Sequence, residues 1–485
     1  MTTGKQWLAV AIPLGAGLAM VPAVLSGELQ WLAVLPAVLV LLWALRSPFH
    51  CLLLTVFAFP FERVGNIPLP WFKIKPFQLL AGLTLFALLG RIAFGRKRFA
   101  RLPRHPILFW LAGFYLANLV SYFFSQNPDD LRPLSHYALF VAIAALVVML
   151  VRTPEELSAM VWTAVLSGAF AAVYGLLQYA GYLSGWDTEV RMTPLVFSAG
   201  TSAGVRVVSL FYDPNLFASF LCPAIPLGLA CCQAAVRRWQ RLLAIAAVVV
   251  MLLAMAATYS RSGFLGVVAA LLCFVLLQRR LLTRVRALVL IALFVALGWS
   301  ALRVWGGEWI RPDTVWGRAL AVEQGIGGRT SAWQQILGAF YDHPVVGLGP
   351  AEATNWGVYI PNSLSGWDMA NLRMVAHNNF LDVMVGAGLV GLVPFVFLVG
   401  LGLLGTWRGF RRSDPRHSAW KLGALLAMVS VVANGMSMST LSYPSFWFVL
   451  GLAVATEQTS SPGASSTAST PSRIPMKPRW AQSQL

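Results

Sequence analysis

The chain has 485 residues, of which 58% are hydrophobic and only 11% charged, and its mean hydropathy is +0.69. Soluble proteins carry about 25% charged residues, so this composition excludes a soluble globular protein. The formal net charge of +18 does not indicate a nucleic-acid-binding protein, because the basic residues lie mostly in short loops between apolar segments. The five cysteines form no CxxC pair, which argues against disulfide and zinc sites.

Apolar segments recur along the chain and predict an all-α polytopic integral membrane protein. A membrane helix needs about 20 apolar residues, and on this basis we expect about 12–14 transmembrane helices. The predicted spans are, in order, 7–25, 31–45, 51–61, 77–94, 106–124, 136–151, 157–183, 215–236, 242–259, 263–277, 287–304, 379–404, 422–438 and 445–455.

These spans divide the chain into four parts. An N-terminal helix bundle covers residues 1–304, a large polar loop covers 305–376, and C-terminal membrane helices cover 377–455. Residues 456–485 are rich in Ser, Thr and Pro. They have no apolar face to bury, so we expect a disordered tail.

Arginine and lysine counts in the short loops predict the orientation, because such residues are enriched on the cytoplasmic side. The basic clusters fall in alternate loops, at residues 96–104, 237–241, 279–286 and 408–421. This alternation predicts that both termini are cytoplasmic. It predicts that residues 184–214, 260–262 and 305–376 are outside.

Arginines also occur on the predicted outer face, where the same bias should deplete them. They are Arg191, Arg206, Arg261, Arg303, Arg311, Arg318, Arg329 and Arg373. Arg261 is the sharpest case, since its turn is too tight to leave the membrane surface. An ionisable group at that depth is a functional candidate, and guanidinium groups bind phosphate oxygens in bidentate fashion. The alternative is that these arginines bind lipid headgroups or pair with acidic residues of the loop.

The polar loop contains a predicted amphipathic helix over residues 329–340. Its apolar residues recur at i, i+3, i+4 and i+7, namely Trp333, Ile336, Leu337 and Phe340. Arg329 would lie in the first turn, where its donors can face an anion near the positive helix end. The tryptophans of the loop are typical of interfacial anchors, with stacking on sugar rings as the alternative.

His377 begins a span at the outer boundary and is followed by Asn378 and Asn379. Histidine is the usual general base near neutral pH, which makes His377 a catalytic candidate. The alternative is a structural histidine that caps the helix. His343, in an Asp-His-Pro sequence, is expected to be a structural helix stop. No carboxylate pair or histidine–cysteine cluster in the sequence predicts a metal site.

These motifs resemble the O-antigen ligases, within the wider group of bacterial membrane enzymes that ligate or polymerise lipid-linked glycans. The family signature is His, then Asn, Ser or Gln, nine residues, Gly, two residues, and Gly, Thr or Tyr. His377-Asn378 and Gly388-Leu389-Val390-Gly391 fit it. The large preceding loop and residues 260–263, 328–333 and 206–217 are also similar to the family. The resemblance covers about residues 206–391 and implies a GT-C-like membrane fold with 12 spans.

The resemblance implies an enzyme of the bacterial inner membrane that works at the periplasmic face. It would transfer O-antigen polysaccharide from undecaprenyl diphosphate to a sugar hydroxyl of lipid A–core, with inversion and with no metal or nucleotide cofactor. His377 would be the general base and Asn378 would support it. Three arginines would hold the leaving diphosphate, namely Arg206, Arg261 and Arg329. Arg191 could take the place of Arg206.

Other functions remain open at this point. An O-antigen polymerase uses the same donor but extends another lipid-linked chain, and a protein O-oligosaccharyltransferase transfers the glycan to protein hydroxyls. A transporter for a lipid-linked glycan is the alternative from a different class. Transporters often contain internal repeats and charges near the midplane. This chain has no clear repeat, and its charges lie at the outer edge.

Overall fold

The structure, a computed structural model, describes residues 47–68, 73–94, 105–125, 131–184, 195–197, 204–277, 285, 289, 333–334, 336–350, 376–413 and 418–459. The predicted spans at 7–25 and 31–45 lie outside these ranges, as do nearly all of the span at 287–304 and most of the polar loop. The tail beyond residue 459 lies outside them as well.

The described ranges are built from helices, which we number in chain order. They are α1 (Pro48–Phe57), α2 (Pro76–Ala93), α3 (Pro106–Phe124), α4 (Leu131–Leu150), α5 (Pro154–Leu183), α6 (Pro214–Ala234), α7 (Arg238–Ala257), α8 (Arg261–Leu277), α9 (Asn379–Arg411), α10 (Ser418–Gly435) and α11 (Pro444–Gln458). Among the described residues, eight helices are long and apolar enough to cross a membrane, and α1 and α8 are shorter apolar helices. The prediction of an all-α polytopic membrane protein is confirmed.

Most helices begin a few residues before the apolar segments that predicted them. Six begin with proline in the first turn, namely α1, α2, α3, α5, α6 and α11. The first amides of a helix have no partner within the helix, so the missing proline N–H costs nothing there. These helices can therefore begin at the proline, at or just before the start of the apolar segment.

Two short antiparallel hairpins were not predicted. Strands β1 (Ile67–Pro68) and β2 (Lys73–Ile74) form one of them, after α1. Strands β3 (Leu195–Phe197) and β4 (Gly204–Arg206) form the other, before α6. Strands of two or three residues are too short for alternating hydrophobicity to reveal them.

The helix α10 lies at the centre of the C-terminal half. It packs against α6, α8 and α9, while α9 also packs against α3 and α11. We use the name site end for the end of this bundle where α8, α9 and α11 begin and α7 and α10 end. The opposite end carries the basic residues at the start of α7 and the end of α9, and we call it the basic end.

The long helix α9 is broken at Gly388, whose backbone has φ 59° and ψ −156°. The segment 344–349, from the polar loop, fills the break. The amides of Leu348 and Gly349 donate to the carbonyls of Val385 and Gly386, both at 2.9 Å. In return, the amides of Leu389 and Val390 donate to the carbonyls of Pro344 and Val345, at 2.9 and 3.1 Å. The loop segment thus replaces the intrahelical bonds that the break removes.

Glycine is required on both sides of this junction. A Cβ on Gly388 would lie 2.3 Å from the Val345 carbonyl oxygen, and one on Gly347 would lie 2.5 Å from the Gly386 carbonyl. The backbone angles of Gly388 also belong to a region that only glycine adopts readily. This explains physically why the first glycine of the signature is a glycine in this chain.

We predict that Gly388→Ala destabilises the folded protein by about 2 kcal/mol or more, because it combines backbone strain with a steric clash. The matched control is Gly400→Ala in the same helix, where an added Cβ meets no atom within 4 Å. Thermal unfolding in detergent measures both variants. Equal melting temperatures for the two variants would contradict the docking of the loop segment in the break.

Candidate active site

His377 lies in a turn that the surrounding structure fixes closely. Its backbone is left-handed, with φ 52°, a conformation that costs free energy for a residue other than glycine. On one side, the carbonyl of the buried residue Ala376 accepts a hydrogen bond from Trp333 Nε1 at 2.9 Å. On the other side, Asn378 caps α9, and its Oδ1 accepts from the amides of Phe380 and Leu381 at 2.9 and 3.4 Å.

The capping residue is therefore Asn378 and not His377. The sequence left open that the histidine itself caps the helix, and the structure assigns that role to its neighbour. An asparagine oxygen at this position satisfies amides that otherwise have no partner in the first turn. Asn378 fixes where α9 begins and so where His377 stands.

A second asparagine anchors the start of α9 to the turn before α11. Asn379 is 1% exposed. Its Nδ2 donates to Thr440 Oγ1 at 2.9 Å, and its Oδ1 accepts from the Thr440 amide at 2.7 Å. This reciprocal pair joins the His377 turn to residues 436–443. Sequence reasoning did not single out Asn379, although a buried amide beside the histidine is a signal it could have used.

The polar-loop helix packs on the same turn. Residues 333–334 and 336–342 are helical, and we call them the loop helix. Its buried residues Ile336 and Ala339 form a cluster with Ala376 and Val385. The predicted apolar face is wrong in one position, since Leu337 is 38% exposed and Ala339 is buried instead. The loop helix is thus tied to α9 by this cluster as well as by the bond from Trp333.

The loop helix ends as the sequence predicts, at His343. The His343 amide donates to Ala339 O and Phe340 O, both at 3.2 Å, and its carbonyl accepts from Gly347 N at 3.1 Å. The His343 residue is exposed. Its backbone therefore closes the helix and leads the chain into the segment 344–349.

Arg206 ends β4 and bonds to the turn that carries Arg261. Its Nε donates to the Thr258 carbonyl at 2.8 Å, and its Nη2 donates to Asn215 Oδ1 at 2.9 Å. Asp213 caps α6 beside it, accepting from the amides of Asn215 and Leu216. Both ends of the Arg206 guanidinium fork are thus held in place.

Arg261 is the first residue of α8 and is exposed. Helix α7 ends at Ala257, so only Thr258, Tyr259 and Ser260 separate the two helices. The hydroxyls of Ser260 and Ser262, on either side of Arg261, are hydrogen-bonded at 3.1 Å. The sequence motif Ser260-Arg261-Ser262 therefore forms a tight and internally bonded turn at the site end.

Arg206 and Arg261 lie close enough for their charges to interact. Burial lowers the pKa of Arg206, the Asp213 carboxylate raises it in part, and the positive charge of Arg261 lowers it further. Arg206 remains charged even so, because guanidinium groups do not lose their proton in folded proteins. Two guanidinium groups that repel each other at a membrane surface are suited to bind an anion between them.

The last turns of α10 connect the arginine turn with the histidine turn. A Cβ on Gly266 of α8 would lie 3.2 Å from Asn434 Cβ, and one on Gly435 would lie 2.4 Å from Asn379 Nδ2. The end of α10 thus touches α8 one to two turns from Arg261 and also touches the first residue of α9. His377, Arg206 and Arg261 therefore share the site end of the bundle.

Backbone strain is concentrated at this end. Within the described ranges, the residues other than glycine with positive φ are Ser209, Tyr259 and His377. Ser209 follows Arg206, and Tyr259 lies two residues before Arg261. Strained residues of this kind cluster at active sites, where the surrounding structure holds them. Of the other predicted site residues, Arg191 and Arg329 lie outside the described residues.

Comparison with known families agrees with the sequence motifs. Residues 246–396 match the Wzy_C family, described as O-antigen ligase. The matched range contains Arg261, Arg329, His377 and Asn378, and it begins after Arg191 and Arg206. A comparison with curated proteins found no match. The family match confirms the resemblance on which the sequence analysis relied.

The capping role of Asn378 leads to a prediction about stability. Asn378→Ala should lower the free energy of unfolding by about 1 kcal/mol, whereas Asn378→Ser should lower it far less, because a serine oxygen caps equally well. Thermal unfolding in detergent distinguishes the two variants. If both lost the same stability, the cap would not be what holds the turn.

Proposed function

As the chain belongs to the O-antigen ligase family through residues 246–396, we propose that it transfers O-antigen polysaccharide from undecaprenyl diphosphate to lipid A–core. The reaction takes place at the periplasmic face of the bacterial inner membrane. The site end then faces the periplasm, and the basic end, with Arg237, Arg238, Arg408 and Arg411, faces the cytoplasm, as the positive-inside rule requires. Both termini are cytoplasmic in this orientation.

The proposed reaction is one displacement with inversion at the anomeric carbon of the donor. His377 takes the proton from a sugar hydroxyl of the acceptor as its oxygen attacks that carbon. The bond from the anomeric carbon to the diphosphate oxygen breaks, and the electron pair leaves with undecaprenyl diphosphate. The products are the glycosylated lipid A–core and the free lipid diphosphate.

The observation that carries this proposal is the joint position of the histidine turn and the Arg206–Arg261 pair. A general base must reach the acceptor hydroxyl, and cations must lie where negative charge develops on the leaving group. His377 is held in a strained turn at the site end, and Arg206 is bonded to the turn that carries Arg261. In the proposed reaction, His377 acts on the attacking hydroxyl, and the two arginines act on the leaving diphosphate.

The remaining roles rest on the sequence motifs and on the contacts of Arg206 and Asn378. Arg329 belongs to the stretch ahead of the loop helix and would act with Arg206 and Arg261 on the diphosphate. Arg191 is the substitute for Arg206, but the bonds of Arg206 to Thr258 and Asn215 favour Arg206. Asn378 supports His377 by capping α9. No metal or nucleotide has a role in this scheme, because arginines supply the positive charge.

The direct test is transfer in vitro. Purified protein is mixed with undecaprenyl-diphosphate-linked glycan and lipid A–core, with EDTA present and no nucleotide, and the lipid A product is followed on a gel. We expect a ladder of glycosylated lipid A–core. Growth of the lipid-linked chain without an acceptor product would identify a polymerase instead. Absence of any glycan transfer with an active donor would favour a protein oligosaccharyltransferase or a transporter.

Variants separate the proposed roles in the same assay. His377→Ala should abolish transfer and leave donor binding intact, because the base acts only in the chemical step. Arg261→Gln should slow transfer by about 10²-fold, as loss of one charge-stabilising donor does in other enzymes. Arg238→Gln at the basic end is the matched control and should transfer normally. Full transfer by His377→Ala would show that His377 is not the base.

A further inference from the structure

Asp382 is an acidic residue within the apolar beginning of α9, five residues after His377. It is 3% exposed and falls among the nine unspecified positions of the family signature. A carboxylate buried in a membrane helix is costly, and such residues are usually functional. The scheme proposed above gives Asp382 no role, so its position needs an explanation.

The surroundings of Asp382 enclose the histidine turn. Its carboxyl group lies beside the Ser439 hydroxyl and interacts with the backbone of Ala376, the residue before His377. Its amide donates to the carbonyl of Asn378, the residue after His377, at 2.9 Å. The carboxylate also lies in the first turn of α9, where the positive helix end stabilises negative charge.

Two buried polar atoms near the histidine turn can still form hydrogen bonds. Asp382 Oδ1 and Ser439 Oγ are both buried, and neither has a hydrogen-bond partner among the described residues. Folded proteins leave few buried polar atoms in this state, and each such atom calls for a reason. The two atoms belong to neighbouring side chains beside the histidine turn, where the Ser439 hydroxyl can donate to the Asp382 carboxyl group.

We propose that Asp382 is a positioning residue for His377, with Ser439 as its partner, in the transfer reaction proposed above. The carboxylate holds residues 376–378 in their strained form through its contact with the Ala376 backbone. Its negative charge stabilises the imidazolium that forms when His377 takes the acceptor proton. The proton stays on His377 until the product leaves, and Asp382 acts in its ionised form and exchanges no proton in this step.

Other titratable groups lie on the elements around this turn. They include Asp342 of the loop helix, His343 after it, Tyr443 before α11 and Tyr122 in α3. Tyr443 in turn interacts with Glu62, Asp213 and Tyr212, and Glu62 is paired with Lys75. The cations Arg206 and Arg261 lie at the same end of the bundle. Asp342 and His343 are exposed. Burial raises the pKa of Tyr443, so this tyrosine stays neutral near pH 7. Asp382 is thus the buried acid nearest in sequence to the histidine.

The test compares Asp382→Asn with the control Asp342→Asn in the transfer assay. Asp382→Asn keeps the shape but removes the charge. We expect kcat to fall by about tenfold or more, a part of the 10²- to 10⁴-fold that general base catalysis contributes, with the KM for the donor unchanged. The acid limb of the kcat/KM profile should move to lower pH, because an imidazolium without a nearby carboxylate loses its proton more easily. Asp382→Glu should recover part of the rate, and Asp342→Asn should match the unaltered protein.

Unchanged kcat and an unchanged pH profile in Asp382→Asn would overturn the proposal. A lower yield of folded protein with normal specific activity would also overturn it, since the role would then be structural only. If Asp382→Asn does not accumulate, Ser439→Ala tests the same pair and should lower kcat without changing the donor KM. Failure of the proposed function itself is distinguishable, because the unaltered protein would then make no glycosylated lipid A–core, or His377→Ala would retain full transfer.

Discussion

The interaction on which the site depends is the insertion of residues 344–349 into the break of α9. Membrane lipid offers no hydrogen bonds, so a broken helix must find partners for its freed backbone groups within the protein. Here four backbone bonds from one loop segment supply them, and Ser121 Oγ of α3 adds a bond of 2.6 Å to the Gly386 carbonyl. The loop is thereby fixed to the membrane bundle at the level of the site.

This junction determines how precisely the histidine is held. The loop helix donates from Trp333 to Ala376, and the segment that follows it is fixed in the α9 break. The Asn379–Thr440 pair and the Asn378 cap hold the same turn from the side of the bundle. A histidine supported from both sides loses little of its geometry to motion, which its proposed role as general base requires. The arginine pair is held separately, by β4 and the short α7–α8 turn.

Hydropathy and motif spacing predicted much of this arrangement. Apolar segments located the described spans to within a few residues, except that α4 begins at Leu131 and α9 continues to Arg411. The Ser260-Arg261-Ser262 turn and the family membership were also predicted. The break at Gly388 was not, because hydropathy carries no information about backbone partners distant in sequence. The interaction of Arg206 with Arg261 depends on a hairpin too short to recognise. The roles of Arg191 and Arg329 stay predictions.

The proposed function requires that one end of the bundle binds the donor diphosphate beside His377. The most direct measurement is an electron cryo-microscopy structure of the purified protein with undecaprenyl diphosphate bound. We expect diphosphate density in contact with the guanidinium groups of Arg206 and Arg261, at the end of the bundle that carries His377. Diphosphate density at the basic end, or at the site end without contact to either arginine, would contradict it.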